Sequence, residues 1–263
     1  MNGGAYMEQF DYSAALITVT ETETAAIKQL YNWQPLNIEC DEQAYYCAGF
    51  ERDNKHYRVV YARQNEMGMT AGAVLSMKLI QHFRPRYLIM VGIAAGVARA
   101  DIEDQIYGDV IAADVIWNYS AGKFVSPDDA RIKFGEVGFI PRPTVIEMQP
   151  ELRGYIELAA ASDENQCHVY IGPMACGSSV VANNEILDKQ IRSQNESTAG
   201  LDMESYAVAY AARNATQPKP ASLIIKRVCD YADSAKSDQY QKFAAYTSCE
   251  FAKLLYEKFL PLD

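Results

Sequence analysis

Short apolar runs separated by turn residues are the dominant pattern of the chain. Four of them span residues 14–19, 87–93, 109–116 and 221–228. A run that stays apolar, rather than alternating with polar residues, is typical of a strand covered on both faces, as in a mostly parallel sheet. The pattern therefore predicts four central strands.

Three segments between and after these runs carry apolar residues at helical spacing, and each predicts a helix that buries one face. The first segment, which runs toward His82, has Met69, Ala73, Met77 and Ile80 on one face. The second, after Leu201, has Met203, Ala207, Tyr210 and Ala211 on one face. The third, within 238–259, has Phe243, Thr247, Phe251 and Leu254 on one face. Strands that alternate with helices indicate an α/β fold. Residues 120–149 are rich in glycine and proline, and we expect loops or a mobile flap there.

Length and composition narrow the function classes. The 263 residues fit one large domain, and we expect a single domain over 1–263 because no repeat or long polar linker interrupts them. The formal net charge of −10 argues against a nucleic acid or a membrane surface as partner. No apolar run reaches the roughly 18 residues of a membrane span. A globular enzyme or binding domain remains.

Cysteine and histidine usage adds two expectations. The six cysteines contain no Cys-x-x-Cys pair, so we expect reduced thiols in a cytoplasmic protein. The three histidines, His56, His82 and His168, lie far apart and lack the spacing of metal ligands. We expect no metal and no cofactor, so carboxylates, hydroxyls and backbone groups must carry the chemistry.

Two motifs place carboxylates at the ends of predicted strands. Thr20-Glu21-Thr22-Glu23 follows the first strand, and Asp230 follows the last. Ligands of open α/β sheets bind beyond the carboxyl ends of the strands, so these acids can face a substrate. They also have a structural explanation, because Thr20 and Glu23 have the spacing of a helix capping box and Asp230 can cap the next turn. The residues alone leave both explanations open.

Three further motifs are weaker. Residues 91–97 are small and follow a strand, where they predict either a tight turn or a close approach of backbone N–H groups to a ligand. Residues 176–181 predict a strand, a bend and a helix. Asp202 and Glu204 flank Met203 at a helix start, where the helix dipole favours acids without any further role.

The order of these motifs resembles that of the nucleoside phosphorylase and nucleosidase superfamily, especially the methylthioadenosine/S-adenosylhomocysteine nucleosidases. Residues 200–204 (GLDME) are similar to that family's Val-Glu-Met-Glu ribose motif, and residues 229–233 (CDYAD) to its Ser-Asp-x-Ala-Asp segment. The resemblance runs over about 14–255. It implies a three-layer α/β/α fold around a central mixed, largely parallel sheet.

The resemblance also implies a role for each matched residue. Glu23 would activate the attacking water, and Asp230 would donate a proton to purine N7. Glu204 would hold the ribose hydroxyls. The other residues implied to contact a purine nucleoside are Met203 against the sugar, Ile93 and Ala94 in the glycine turn, Val180 and Val181 beside the base, and Tyr240 on the 5′ side.

These residue types suit the cleavage of an N-glycosidic bond. The reaction passes through an oxocarbenium-like state, so it needs a protonated leaving base, a positioned water and a negative group near the cationic sugar. Asp230, Glu23 and Glu204 supply these in turn.

Four departures from the family pattern bear on the reaction and the substrate. Met90 stands where phosphorylases present an arginine to phosphate, and methionine does not bind anions, which favours hydrolysis over phosphorolysis. Ile93 replaces a serine, and Val180 replaces the aromatic residue that stacks on adenine. Lys226 replaces a strand arginine with a point charge.

The sequence thus favours a metal-independent nucleosidase that acts on a purine nucleoside, such as methylthioadenosine, S-adenosylhomocysteine or another adenosine derivative. The resemblance implies a homodimer. A phosphate-dependent phosphorylase and a catalytically weak nucleoside-binding regulatory module are the alternatives. A purely structural role of the acids as helix caps is a third.

Overall fold

The computed structural model describes residues 9–97, 108–126, 131, 138–231 and 241–262. The strands are β1 (Tyr12–Thr18), β2 (Gln34–Leu36), β3 (Tyr45–Arg52), β4 (Lys55–Arg63), β5 (Pro85–Gly96), β6 (Val110–Asn118), β7 (Gly122–Phe124), β8 (Phe139–Pro141), β9 (Val145–Glu147), β10 (Val169–Cys176), β11 (Gly200–Asp202) and β12 (Ala221–Asp230). The helices are α1 (Glu21–Ile27), α2 (Met69–Phe83), α3 (Pro150–Ala160), α4 (Asn184–Ile186), α5 (Ser205–Asn214) and α6 (Gln241–Leu254). Two π-helical segments, Leu187–Arg192 and Leu255–Phe259, continue α4 and α6.

A mixed sheet forms the centre of the fold. Its strand order is β11-β10-β6-β12-β5-β1-β4-β3-β2, with β9 beside β6. The neighbours β12, β5, β1 and β4 run parallel, whereas β6 and β3 run antiparallel to β12 and β4. Because β11 also pairs with β5, the strands β5, β12, β6, β10 and β11 close a ring. The four predicted strands are confirmed as β1, β5, β6 and β12.

Helices cover both faces of the sheet, which explains the continuous apolar runs. Successive side chains of a strand point to opposite faces. In β5, Leu88 joins the core beneath α2 and α5, and its neighbour Ile89 joins the core beneath α1, α3 and α6. The three-layer α/β/α architecture is confirmed, and no helix in the described ranges is long and apolar enough to cross a membrane.

The predicted face of α2 is wrong in part. Ile80 is buried as predicted, but Leu75, Leu79 and Phe83 fill most of the contact with the sheet. The other three positions of the predicted face, Met69, Ala73 and Met77, are only half-buried. Leucine and phenylalanine bury more apolar area than alanine, so they decide the orientation of the helix.

The predicted faces of α5 and α6 also need correction. Helix α5 begins at Ser205, so Met203 precedes it, and Tyr210 is exposed. In α6, Phe243 is 57% exposed, and the buried side consists largely of small residues: Ala244, Ala245, Ser248, Cys249 and Ala252. Small side chains let α6 lie close to β5 and β12, an arrangement that a count of large apolar residues does not reveal.

The expectation of loops over 120–149 is wrong at three short strands. β7 and β8 pair as a separate two-stranded sheet, and β9 pairs with β6. Residues 127–130 and 132–137 of this segment lie outside the described ranges.

The orientation of α2 is testable with two truncations on the same helix. Leu79 is fully buried and Val74 is 54% exposed. We expect Leu79→Ala to lower the free energy of unfolding by about 2–5 kcal/mol, because it leaves a cavity. Val74→Ala should change it by less than about 0.5 kcal/mol. Urea unfolding measures both, and equal losses would contradict this orientation.

Candidate active site

A pocket opens where β1, β5 and β12 end. It encloses about 720 Å³, including space open to solvent at its mouth. The predicted site residues that line it are Glu23, Ile93, Ala94, Val180, Val181, Met203, Glu204 and Asp230. The remaining predicted residue, Tyr240, lies outside the described ranges. The structure therefore brings together every predicted site residue that it describes.

Glu23 is buried at the floor of the pocket and is held by backbone N–H groups from two elements. Its Oε2 accepts hydrogen bonds from Val19 and Thr20, both at 2.8 Å, and its Oε1 accepts one from Ile93 at 2.8 Å. The capping box with Thr20 is present, so the structural explanation of this motif is correct. The bond to Ile93 goes beyond a cap, because it ties the carboxylate to the end of β5.

Gly92 makes that bond possible. Its φ of +146° lies in a region that residues with side chains rarely adopt, and an added Cβ would lie 1.9 Å from Glu23 Oε1. Residues 91–96 belong to β5, so the prediction of a tight turn is wrong. The small residue at Gly92 instead serves a close approach of the Glu23 side chain to the backbone.

Lys226 is buried among carboxylates. Its Nζ lies 3.9 Å from Glu23 Oε1 and 3.8 Å from Asp202 Oδ2. Burial lowers the pKa of Lys226, but Glu23, Asp202 and Glu204 together outweigh it, so the pKa is raised and the ammonium stays charged. Among the described residues that line the pocket, Lys226 is the single cation.

Asp202 and Glu204 have different contacts. Asp202 accepts hydrogen bonds from the backbone and the hydroxyl of Ser205, as expected of an acid at a helix start. Glu204 instead accepts one from the backbone of Gly68 at 2.7 Å, which ties the loop before α2 to the pocket. Burial and the charge of Asp202 raise the pKa of Glu204 to about 7.

A β-bulge aims Asp230 into the pocket. In the pairing of β12 with β5, Val228 faces Ala94 and Asp230 faces Ala95, so Cys229 is an extra residue. Bulges of this kind redirect a side chain and are common beside active sites. The thiol of Cys229 lies 3.4 Å from Asp230 Oδ2 and 3.5 Å from the carbonyl oxygen of Ala94.

The segments after β6 and β10 supply another part of the lining. Val180 and Val181 lie there, with Val180 58% exposed. Tyr119 also lines the pocket, and its hydroxyl donates to the backbone carbonyl of Ser179 at 3.3 Å. Sequence reasoning missed two lining residues, Tyr119 and Met67. The only signal of Tyr119 is its position directly after β6.

Met90 lies within β5 in the core and not at the pocket. Within the described ranges, no group of three or more His, Cys, Asp or Glu side chains is arranged to hold a metal ion. The chemical groups available in the described pocket are therefore four carboxylates, one ammonium, one thiol, hydroxyls and backbone groups.

Two curated relatives match most of the chain. The protein y4jS of Sinorhizobium fredii is 28% identical over 238 residues, which cover 84% of this chain and 54% of that protein. The ATP nucleosidase Cap17 of Escherichia coli is 22% identical over 266 residues, which cover 89% of this chain and 48% of that protein. The chain thus spans about half the length of the curated relatives it matches.

Solved structures share the fold. A 5′-methylthioadenosine/S-adenosylhomocysteine nucleosidase from Neisseria meningitidis superposes with a TM-score of 0.72 at 22% identity, covering 93% of this chain and 98% of the other. The futalosine hydrolase of Helicobacter pylori superposes with a TM-score of 0.72 at 18% identity, covering 93% and 97%. At these identities the likeness establishes the fold alone.

Family membership rests on a broader match. The family model described as the Phosphorylase superfamily matches residues 13–260, from β1 to the end of the last helix. That range includes every strand of the central sheet except the first residue of β1, together with all described residues that line the pocket. The chain belongs to the phosphorylase superfamily.

Proposed function

We propose that this chain is a nucleosidase that hydrolyses the N-glycosidic bond of a purine nucleoside. The observation that carries the proposal is the joint presence of Glu23 and Asp230 in one pocket, with the Glu23 carboxylate fixed by backbone groups of the connection from β1 to α1 and of β5. A general base and a general acid in fixed positions are what this cleavage requires.

Glu23 would act on the attacking water. A carboxylate offers about four lone-pair sites, and backbone N–H groups of Val19, Thr20 and Ile93 use three of them. The remaining site can accept a hydrogen bond from a water molecule. As the water oxygen bonds to C1′, Glu23 takes the proton that the water loses.

Asp230 and Glu204 would act on the base and the sugar. The electron pair of the breaking bond from C1′ to the base moves into the purine, and a proton from Asp230 to N7 neutralises it. Positive charge then develops on the sugar. Glu204, when ionised, binds the ribose hydroxyls and opposes that charge, as negative groups do in preorganised sites.

The charges of the pocket support hydrolysis rather than phosphorolysis. Phosphate recognition uses free arginine or lysine side chains. The one cation among the described lining residues, Lys226, lies within 4 Å of Glu23 and Asp202. Phosphate would also meet the negative charge of both carboxylates.

An adenosine derivative such as methylthioadenosine or S-adenosylhomocysteine is the proposed substrate. Similar folds include methylthioadenosine/S-adenosylhomocysteine nucleosidases, and a 5′ substituent without phosphate suits a pocket rich in carboxylates. The similarity to the ATP nucleosidase Cap17 makes a nucleotide the second candidate. The substitutions at Ile93, Val180 and Lys226 are the argument for a catalytically weak binding module.

We also propose that the protein is a homodimer and that it lies in the cytoplasm. Light scattering tests the oligomeric state, and cell fractionation tests the localisation.

A substrate panel tests the proposal. The purified protein is incubated with methylthioadenosine, S-adenosylhomocysteine, adenosine, inosine, AMP and ATP, with and without phosphate, and free base is quantified by chromatography. We expect release from an adenosine derivative at a rate independent of phosphate. Release that requires phosphate would contradict hydrolysis, and stabilisation by ligands without any release would support the binding module.

Substitution of the two proposed catalytic residues should stop base release. We expect Glu23→Gln and Asp230→Asn each to lower kcat by about 100-fold or more, which is typical for loss of a general acid or base. Glu21→Gln is the matched control, because Glu21 lies on the same first turn of α1 with its side chain 88% exposed. Circular dichroism checks that each variant is folded. Wild-type rates in both variants would refute the assignment.

Gly92→Ala should impair the site without a change at any catalytic residue. The added methyl group would collide with the Glu23 carboxylate and displace it. We expect a loss of kcat similar to that of Glu23→Gln, together with a lower melting temperature. Gly154→Ala is the control, because an added Cβ there meets no atom within 4 Å. Normal activity of Gly92→Ala would show that the position of Glu23 is not critical.

The raised pKa of Glu204 predicts a pH dependence of stability. In the folded state Glu204 binds a proton up to about pH 7, whereas its ordinary pKa is 4.5. Between these values the folded state binds more protons than the unfolded state, so the contribution of Glu204 to stability falls as pH rises. Urea unfolding from about pH 4.5 to 7 should show this fall in the wild type and a smaller one in Glu204→Gln. Identical slopes would contradict the raised pKa.

A further inference from the structure

The described lining of the pocket contains one aromatic residue, Tyr119. The carboxylates Glu23 and Asp202 are grouped around Lys226 on one side. Tyr119 instead contacts the segment that carries Val180 and Val181, through its hydrogen bond to Ser179. The one aromatic ring of the described lining therefore lies beside the segment that carries the two valines.

The backbone and the hydroxyl fix the ring of Tyr119. Its N–H donates to the Cys176 carbonyl at 3.0 Å, its own carbonyl accepts from Gln194 Nε2 at 2.9 Å, and its hydroxyl donates to the Ser179 carbonyl. Burial raises the pKa of the hydroxyl, so it stays protonated and remains a donor at neutral pH. Only 7% of the residue is exposed.

Gly177 leaves room for this ring. A Cβ at position 177 would lie 2.2 Å from two carbon atoms of the Tyr119 ring, so any other residue would push the ring away. The ring and the segment after β10 thus fit each other closely.

A purine is flat, apolar on its faces and best bound against another π-system. Val180 offers only an aliphatic surface and is more than half exposed. We propose that Tyr119 supplies the aromatic surface on which the purine of the substrate packs. The inference rests on the proposed function, since it concerns the base of the same nucleoside.

Truncation of the ring tests this role. We expect Tyr119→Leu to raise KM about 10-fold with little change in kcat, because base stacking is lost while the groups at the sugar remain. Tyr119→Phe keeps the ring and should stay within about threefold of the wild-type KM. Tyr119→Met is a second truncation, since a flexible methionine fills the space if leucine destabilises the fold.

Tyr87→Leu is the matched control. Tyr87 is also buried, and its hydroxyl also donates to a backbone carbonyl, that of Pro261 at 2.7 Å, but it does not line the pocket. We expect it to lower the melting temperature and to leave KM unchanged. A KM that rises equally in Tyr87→Leu and Tyr119→Leu would show a general structural effect and overturn the proposal.

Adenosine binding, measured as the rise in melting temperature that the ligand causes, distinguishes this inference from the proposed function. Wild-type binding without base release would contradict only the nucleosidase activity. A rise that is the same in the wild type, Tyr119→Leu and Tyr119→Met would contradict the role of Tyr119, and a rise lost in both truncations but kept in Tyr119→Phe would support it.

Discussion

The pocket depends on the buried ammonium of Lys226. It lies close to Glu23 and Asp202, and the charge of Glu204 also acts on it. Carboxylates packed this closely in a buried site repel one another, and removal of one partner from such a group leaves an uncompensated charge that costs several kcal/mol. Lys226 therefore allows several carboxylates to share one small space. The net negative charge that remains would stabilise the cationic sugar of the proposed reaction and would repel a phosphate ion.

The sheet explains why these residues meet. Glu23 follows β1, Ile93 lies near the end of β5, and Asp230 ends β12, and these three strands are parallel neighbours. Parallel strands end at the same edge, so residues more than 200 positions apart in the sequence face one pocket. The pairing of β11 with β5 brings Asp202 and Glu204 to the same place. Two local devices complete the geometry: the positive φ of Gly92 and the bulge at Cys229.

The sequence predicted the parts of this structure that depend on strand patterning and motif order. The four central strands, the helical layers and the grouping of the described site residues all followed from apolar runs and from the family resemblance. The face of α6 did not, because the closeness of that helix to the sheet depends on small residues such as Ala245 and Cys249. The face of α2 did not, because large residues such as Leu79 decide its orientation over the residues of the predicted face. Tyr119 escaped notice because a single tyrosine after a strand has no distinctive spacing. The ion pairs of Lys226 depend on burial, which a sequence does not display.

Hydrolysis requires that water, and not phosphate, attacks C1′ of the sugar. The most direct measurement is mass spectrometry of the sugar product after turnover of an adenosine derivative in the presence of excess phosphate. A nucleosidase releases the free sugar, and we expect it to form at the rate seen without phosphate. Formation of the sugar 1-phosphate would contradict it.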